Sequence, residues 1–112
     1  MPFSDLLEQR ETRRKEYRAA TLAAARECCR RFANEFPCTR LWIFGSLVTG
    51  RFHRQSDIDI AAEGLPDSLF FKAHAYLMRC LPAGHEVDLK PFEALAASVR
   101  QRIETEGELL VG

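Results

Sequence analysis

Apolar residues in the first third of the chain recur at three- and four-residue steps, at Leu22, Ala25, Cys29, Phe32 and Phe36, with Leu6 upstream on the same pattern. Arginine, glutamate and alanine fill the gaps, and nothing breaks a helix. This period predicts one long helix from Ser4 to about Phe36. Ser4 is placed to cap it, Asp5 and Glu8 suit its first turn, and Pro37 ends it because the residue before a proline avoids the helical region. The pattern then shortens. Leu41-Trp42-Ile43-Phe44 is a continuous apolar run between Pro37 and Gly45, which predicts a buried strand over residues 39–44. A turn, residues 45–50, and a polar loop, residues 51–56, lead to a second predicted strand over residues 57–62, closed by Gly64 and Pro66. Asp67 or Ser68 opens a helix to about Leu81 that carries Leu69, Phe70, Ala73, Leu77 and Met78 on one side and stops at Pro82 and Gly84. A third strand follows over residues 85–90, then a helix over residues 92–106 with Leu95, Val99 and Ile103 on one stripe. Gly107 stops that helix, and the short apolar tail Glu108–Val111 is free to pack back.

The order helix, strand, turn, strand, helix, strand, helix predicts an α/β (α+β) domain: a small mixed sheet of about three to four strands with helices over one face. The open face is then the place for chemistry. For the Gly45-Ser46 turn, at the end of the first strand, to meet Asp57, at the start of the second, those strands must run antiparallel. At 112 residues the chain has the size of one domain, divided into an N-terminal helix (1–36), a core (39–90) and a C-terminal helix with its tail (92–112). No apolar run has the length of a membrane span and the N-terminus lacks the features of a signal peptide, so a cytoplasmic protein is expected. Cys28, Cys29, Cys38 and Cys80 form no CxxC pair and are expected to be reduced, buried thiols.

Charge is balanced overall but split along the chain. Residues 1–56 hold 11 basic against 6 acidic side chains, and residues 57–112 hold 5 against 10. That polarity suggests a partner surface, and the cluster Arg10, Arg13, Arg14 and Arg18 is either a solvated helix face or a site for an acidic partner. A near-neutral pI argues against direct nucleic-acid binding. His53, His74 and His85 lack the spacing of a zinc helix and are expected at the surface.

The chemistry concentrates between Gly45 and Asp59: Gly-Ser, ten residues, then Asp-Ile-Asp. On a strand, Asp57 and Asp59 share one face while Ile58 and Ile60 point to the other. In the third strand Asp88 and Lys90 alternate with Val87 and Leu89, so Asp88 can be aimed at the same face. Three crowded carboxylates would keep at least one proton unless a cation relieved them. Mg²⁺ fits, since it takes one or two carboxylates together with substrate phosphates. A two-ion arrangement would have Asp57 and Asp59 bridging the ions and Asp88 completing the first. Gly45 leaves room for a phosphate, and Ser46 adds a hydroxyl and a backbone N–H at the start of a helical turn, where anions are favoured. The glycines at 45 and 50 also have P-loop spacing, but Arg51-Phe52 stands where Lys-Ser or Lys-Thr is required. Taken singly, each of these residues has an ordinary use as a cap, a turn or a solvated charge. Their weight comes from the spacing.

Gly45-Ser46, the Asp57-Ile58-Asp59 pair and Val87-Asp88-Leu89 together resemble the nucleotidyltransferase superfamily that includes DNA polymerase beta, over nearly the whole chain. The compact length and the ending Gly-Glu-Leu-Leu-Val are similar to the minimal nucleotidyltransferases, single-domain antitoxins paired with HEPN-domain ribonuclease toxins. The resemblance implies transfer of AMP from ATP to a tyrosine of such a toxin. It gives Gly45 and Ser46 the phosphate role and Asp57, Asp59 and Asp88 the metal role, with Arg51 and Lys90 assisting at the phosphates. Two competing functions are a non-catalytic antitoxin that neutralises its toxin by covering it, and nucleotidyl transfer to a small-molecule hydroxyl.

Overall fold

The computed structural model describes residues 2–112. Helix α1 (Phe3–Glu35) is followed by strand β1 (Arg40–Phe44), the single-turn helix α2 (Ser46–Thr49) and strand β2 (Ile58–Glu63). A 3-10 turn at Asp67–Leu69 leads into α3 (Phe70–Cys80), and β3 (Val87–Pro91), a second 3-10 turn (Phe92–Ala94), α4 (Ala97–Glu106) and β4 (Glu108–Val111) complete the chain. The four strands form one mixed sheet in the order β3-β2-β1-β4. β1 runs antiparallel to both its neighbours, the pairing with β2 being the one the sequence demanded, and β2 and β3 are parallel across the α3 connection.

Strand alternation divides the side chains into two layers. Leu41, Ile43, Ile58, Ile60, Val87 and Leu89 point to the face covered by α1 and α3, where they meet Ala25, Cys28, Phe32 and Leu77 in the main core. The opposite face is apolar only at one end: Trp42 and Ala61 lie under Phe92 and Ile103, with the Trp42 and Phe92 rings stacked at 4.4 Å. Cover on a single face is therefore only part of the arrangement. The tail becomes β4 beside β1, which brings α4 across the second face and leaves the Asp59–Asp88 end open.

Several local expectations shift for identifiable reasons. α1 begins at Phe3 behind Pro2, so Ser4 sits inside the first turn and caps nothing. Leu6 is exposed because α1 overhangs the sheet: 33 residues extend about 50 Å, whereas five- and six-residue strands reach only about 20 Å. Asp57 lies one residue before β2, and β3 starts at Val87. The last helix breaks at Leu95 and Ala96, which are extended; the break lets Phe92 reach Trp42 while Ile103 still turns inward. Val99 and Met78, expected to pack, are 38% and 55% exposed.

All four cysteines are free thiols. Cys28 and Cys29 are buried in the main core, where desolvation pushes the Cys29 thiol up to about 12. No helix among the described residues is long and apolar enough to cross a membrane.

Candidate active site

The site forms where β1 ends beside the starts of β2 and β3. Phe44, the last residue of β1, pairs with Asp59, and Asp59 pairs with Asp88 in parallel register. Paired positions on neighbouring strands share a face, so Phe44, Asp59 and Asp88 stand in a row across the sheet, with Gly45 the residue after Phe44. Gly45 adopts φ 74°, and a Cβ built there would overlap Oδ2 of Asp59. Glycine is thus required twice, for its positive φ and for the close approach.

Ser46 opens α2, in which the Val48 and Thr49 N–H groups bond to the Gly45 carbonyl and those of Ser46 and Leu47 have no intrahelical partner. Asp57 is exposed at the lip of a cleft shared with Arg54, Gln55, His85 and Glu86. Lys90 projects from β3 on the same side as Asp88, and its Nζ lies 3.2 Å from the Asp88 Oδ2. Arg51 is exposed and lines a shallow groove with Thr49, Arg102 and Glu106.

The electrostatics follow from this crowding. Asp59 is pushed up to about 6, first by burial and then by the negative charges of Asp88 and Asp57, with Lys90 offsetting part of the effect. Carboxylates crowded so that ionisation is disfavoured have the donor chemistry of a cation site. Among the described residues no three His, Cys, Asp or Glu side chains form a ready-made metal cage. Mg²⁺ requires no such cage, since it keeps waters and takes the rest of its shell from phosphate oxygens. The carboxylates of Asp59 and Asp88, with Asp57 nearby, fit that partial coordination.

Residues without an evident sequence signal hold these groups in place. Arg18 of α1 donates to the carbonyls of Leu47 at 2.9 Å and Val48 at 3.0 Å, and Arg14 donates to Gly50 at 3.0 Å, so α1 grips α2 and the turn after it. Two of the four arginines of the cluster therefore act inside the fold. His85 and His74, expected at the surface, are also engaged: His85 donates from Nδ1 to the Ser56 carbonyl at 2.7 Å and accepts at Nε2 from the Tyr17 hydroxyl, and His74 donates from Nε2 to Val87 at 3.0 Å. Phe52 is buried against Tyr17 and His85, with ring centroids 5.9 and 4.7 Å away. This aromatic cluster fixes the loop that delivers Asp57. On the other side, Phe44, Gly45, Val99 and Arg102 border a cavity of about 210 Å³.

The family model described as Polymerase beta, Nucleotidyltransferase matches residues 27–112. The chain belongs to this nucleotidyltransferase family. Its match takes in Gly45, Ser46 and all three aspartates but leaves out most of α1.

Among solved structures, the nucleotidyltransferase is similar to a chain of a toxin-antitoxin crystallised with AMP-PNP, at 24% identity and a TM-score of 0.66 over 78% of this chain and 73% of that one. It is similar to a chain of a mutant of the toxin-antitoxin MntA-HpeT at 21% identity and a TM-score of 0.62, over 78% and 72%. A protein of Sulfolobus solfataricus assigned provisionally to the nucleotidyltransferases aligns at 23% identity and a TM-score of 0.53, over 84% and 82%. At these identities the likeness is one of fold. No curated protein matches the chain as a relative.

Proposed function

We propose that this nucleotidyltransferase is an Mg²⁺-dependent antitoxin that transfers AMP from ATP to a tyrosine hydroxyl of a HEPN-domain ribonuclease toxin. The observation that carries the reading is the in-register pair Asp59–Asp88 set directly against Gly45-Ser46, a carboxylate site and a phosphate cradle in contact. The fold it shares with chains of two toxin-antitoxin structures supports the choice of partner.

In this reading the acceptor oxygen attacks the α-phosphorus of ATP, its bond to phosphorus forms as the bond to the β-phosphate oxygen breaks, and pyrophosphate leaves. Asp57, Asp59 and Asp88 would hold two Mg²⁺ ions, which when bound supply positive charge to the attacking hydroxyl and the leaving pyrophosphate. The N–H groups at the start of α2 and the Ser46 hydroxyl bind the phosphates, and Gly45 lets them approach the backbone. Arg51 and Lys90 add positive charge at the rim. Asp57, the exposed carboxylate, lies on the side from which an acceptor hydroxyl arrives, and the cytoplasm is where such a toxin and ATP meet.

Incubation with α-labelled ATP, Mg²⁺ and the co-encoded HEPN protein tests this in one gel. Label on the partner that is lost with Asp57→Asn, with Asp59→Asn and on chelation of Mg²⁺ is the expected result. Tight complex formation with toxin silencing but no label would instead identify a non-catalytic antitoxin. Label found only on a small-molecule hydroxyl would move the acceptor.

A further inference from the structure

Tyr17, Thr21, Ala25, Cys28 and Phe32 occupy the face of α1 that turns towards the body of the protein. Three- and four-residue steps carry the same face on towards the N-terminus through Arg14 and Arg10 to Leu7, Leu6 and Phe3. No residue of α1 before Thr21 is buried, and the molecule is 56 Å long in its greatest dimension. Phe3 is 74% exposed and Leu7 47%. A packing face thus extends past the end of the body it packs on.

Beside this overhang lies a groove of about 340 Å³ bordered by Arg10, Arg13, Tyr17, His53 and Arg54. Arg14, also at its edge, is held by Glu11 and Gly50, whereas Arg10, Arg13 and Arg54 make no ion pair among the described residues. Arg54 lies over the Tyr17 ring at 4.4 Å and also lines the cleft that contains Asp57. The basic groove therefore begins at Arg10, one helical turn from Leu6 and Leu7, and shares Arg54 with the cleft that contains Asp57.

We propose that this surface is a docking rail for a polypeptide partner. The partner segment carries apolar side chains that cover Phe3, Leu6 and Leu7, and carboxylates that pair with Arg10, Arg13 and Arg54, so that Arg54 leads it to Asp57. The proposal rests on the reading above only in taking the acceptor to be a protein. Charge complementarity identifies the segment as acidic. The apolar tip separates a protein from a nucleic acid, which has no apolar surface of that kind to offer. The α1 part of the rail, from Phe3 to Tyr17, precedes the residues matched by the family model, whereas His53 and Arg54 lie within them.

The probe is a fluorescent synthetic amphipathic helix with leucines on one side and glutamates beside them, titrated into the full chain by anisotropy. A version with lysine for glutamate and a single-stranded oligonucleotide serve as comparisons. The expected result is binding of the glutamate helix that weakens at least about tenfold in Arg10→Glu/Arg13→Glu and in Leu6→Asp/Leu7→Asp, each with an unchanged circular dichroism spectrum. No binding, equal binding of the lysine helix, binding of the oligonucleotide alone, or indifference to either double variant would overturn the proposal. So would a dimer of the free chain that Leu6→Asp/Leu7→Asp dissolves. Asp59→Asn keeps the two readings apart: it abolishes labelling while leaving helix binding intact. Labelling of the HEPN protein that persists undiminished in both double variants overturns the rail and leaves the enzyme standing.

Discussion

Gly45 and Asp59 illustrate how much of this site depends on two atoms' worth of space. Any side chain at Gly45 must adopt a positive φ that costs about 1–2 kcal/mol and must displace the Asp59 carboxylate. Gly45→Ala is therefore expected to lower kcat/KM at least about tenfold while the protein stays folded, as checked by steady-state labelling and thermal unfolding. Asp59 carries a second, opposite lesson about stability. Its folded pKa of about 6 stands above the ordinary 3.8, so ionising it in the metal-free protein becomes more costly once folded, and stability falls as pH rises from about 4 through 6. Asp59→Asn removes that cost. After allowance for partial solvent screening, we expect metal-free Asp59→Asn to be more stable than the parent by about 1–2 kcal/mol at pH 7.5 and equal to it at pH 4, measured by urea unfolding without divalent cations. A higher midpoint at pH 4 only would contradict the assignment. Both aspartates of the pair were legible from their two-residue spacing; that Asp59 is half-buried and Asp57 exposed was not, because burial depends on the strands that flank it.

At the level of elements, α2 is the one that depends most plainly on a neighbour for support. One turn cannot hold itself, since a helix this short has no interior. Arg18 satisfies two of its carbonyls, at Leu47 and Val48. Arg18→Ala is predicted to cost about 1–3 kcal/mol in urea unfolding and, on the proposed function, to raise KM for ATP more than it lowers kcat, because the loosened element carries the proposed phosphate contacts and not the carboxylates. Arg18→Lys, which replaces a two-pronged donor with a single charge, should recover only part of the loss. The sequence marks Arg18 as one member of a basic cluster, with nothing to distinguish the arginine that grips the turn from those that remain in solvent. The same difficulty applies to the last helix. Its apolar stripe reads as continuous from residue 92 onwards, yet the chain breaks so that Phe92 can stack on Trp42, a contact 50 residues distant in sequence.

The whole molecule consists of a compact sheet-and-helix body with one helix overrunning it. Every buried residue of α1 lies at or beyond Thr21, so the overhang adds little to folding. Removing residues 1–9 is expected to leave the unfolding midpoint within about 2 °C of the full chain while at least about tenfold of the binding to the acidic helix probe is lost. A large fall in stability would mean that the overhang belongs to the fold.

Hydrophobic period, proline and glycine punctuation, and the fixed interval from Gly45 to Asp59 determined the identity and order of the main elements and the chemistry available to the site. These are local properties, set by which residues are three, four or two positions apart. Tertiary structure decided which faces those elements present: that β4 closes the sheet, that α4 crosses to the second face, that Arg14, Arg18 and His85 turn inward and that Phe3 and Leu6 do not. Those outcomes depend on where one element ends relative to another, and no interval within a single stretch of chain records it.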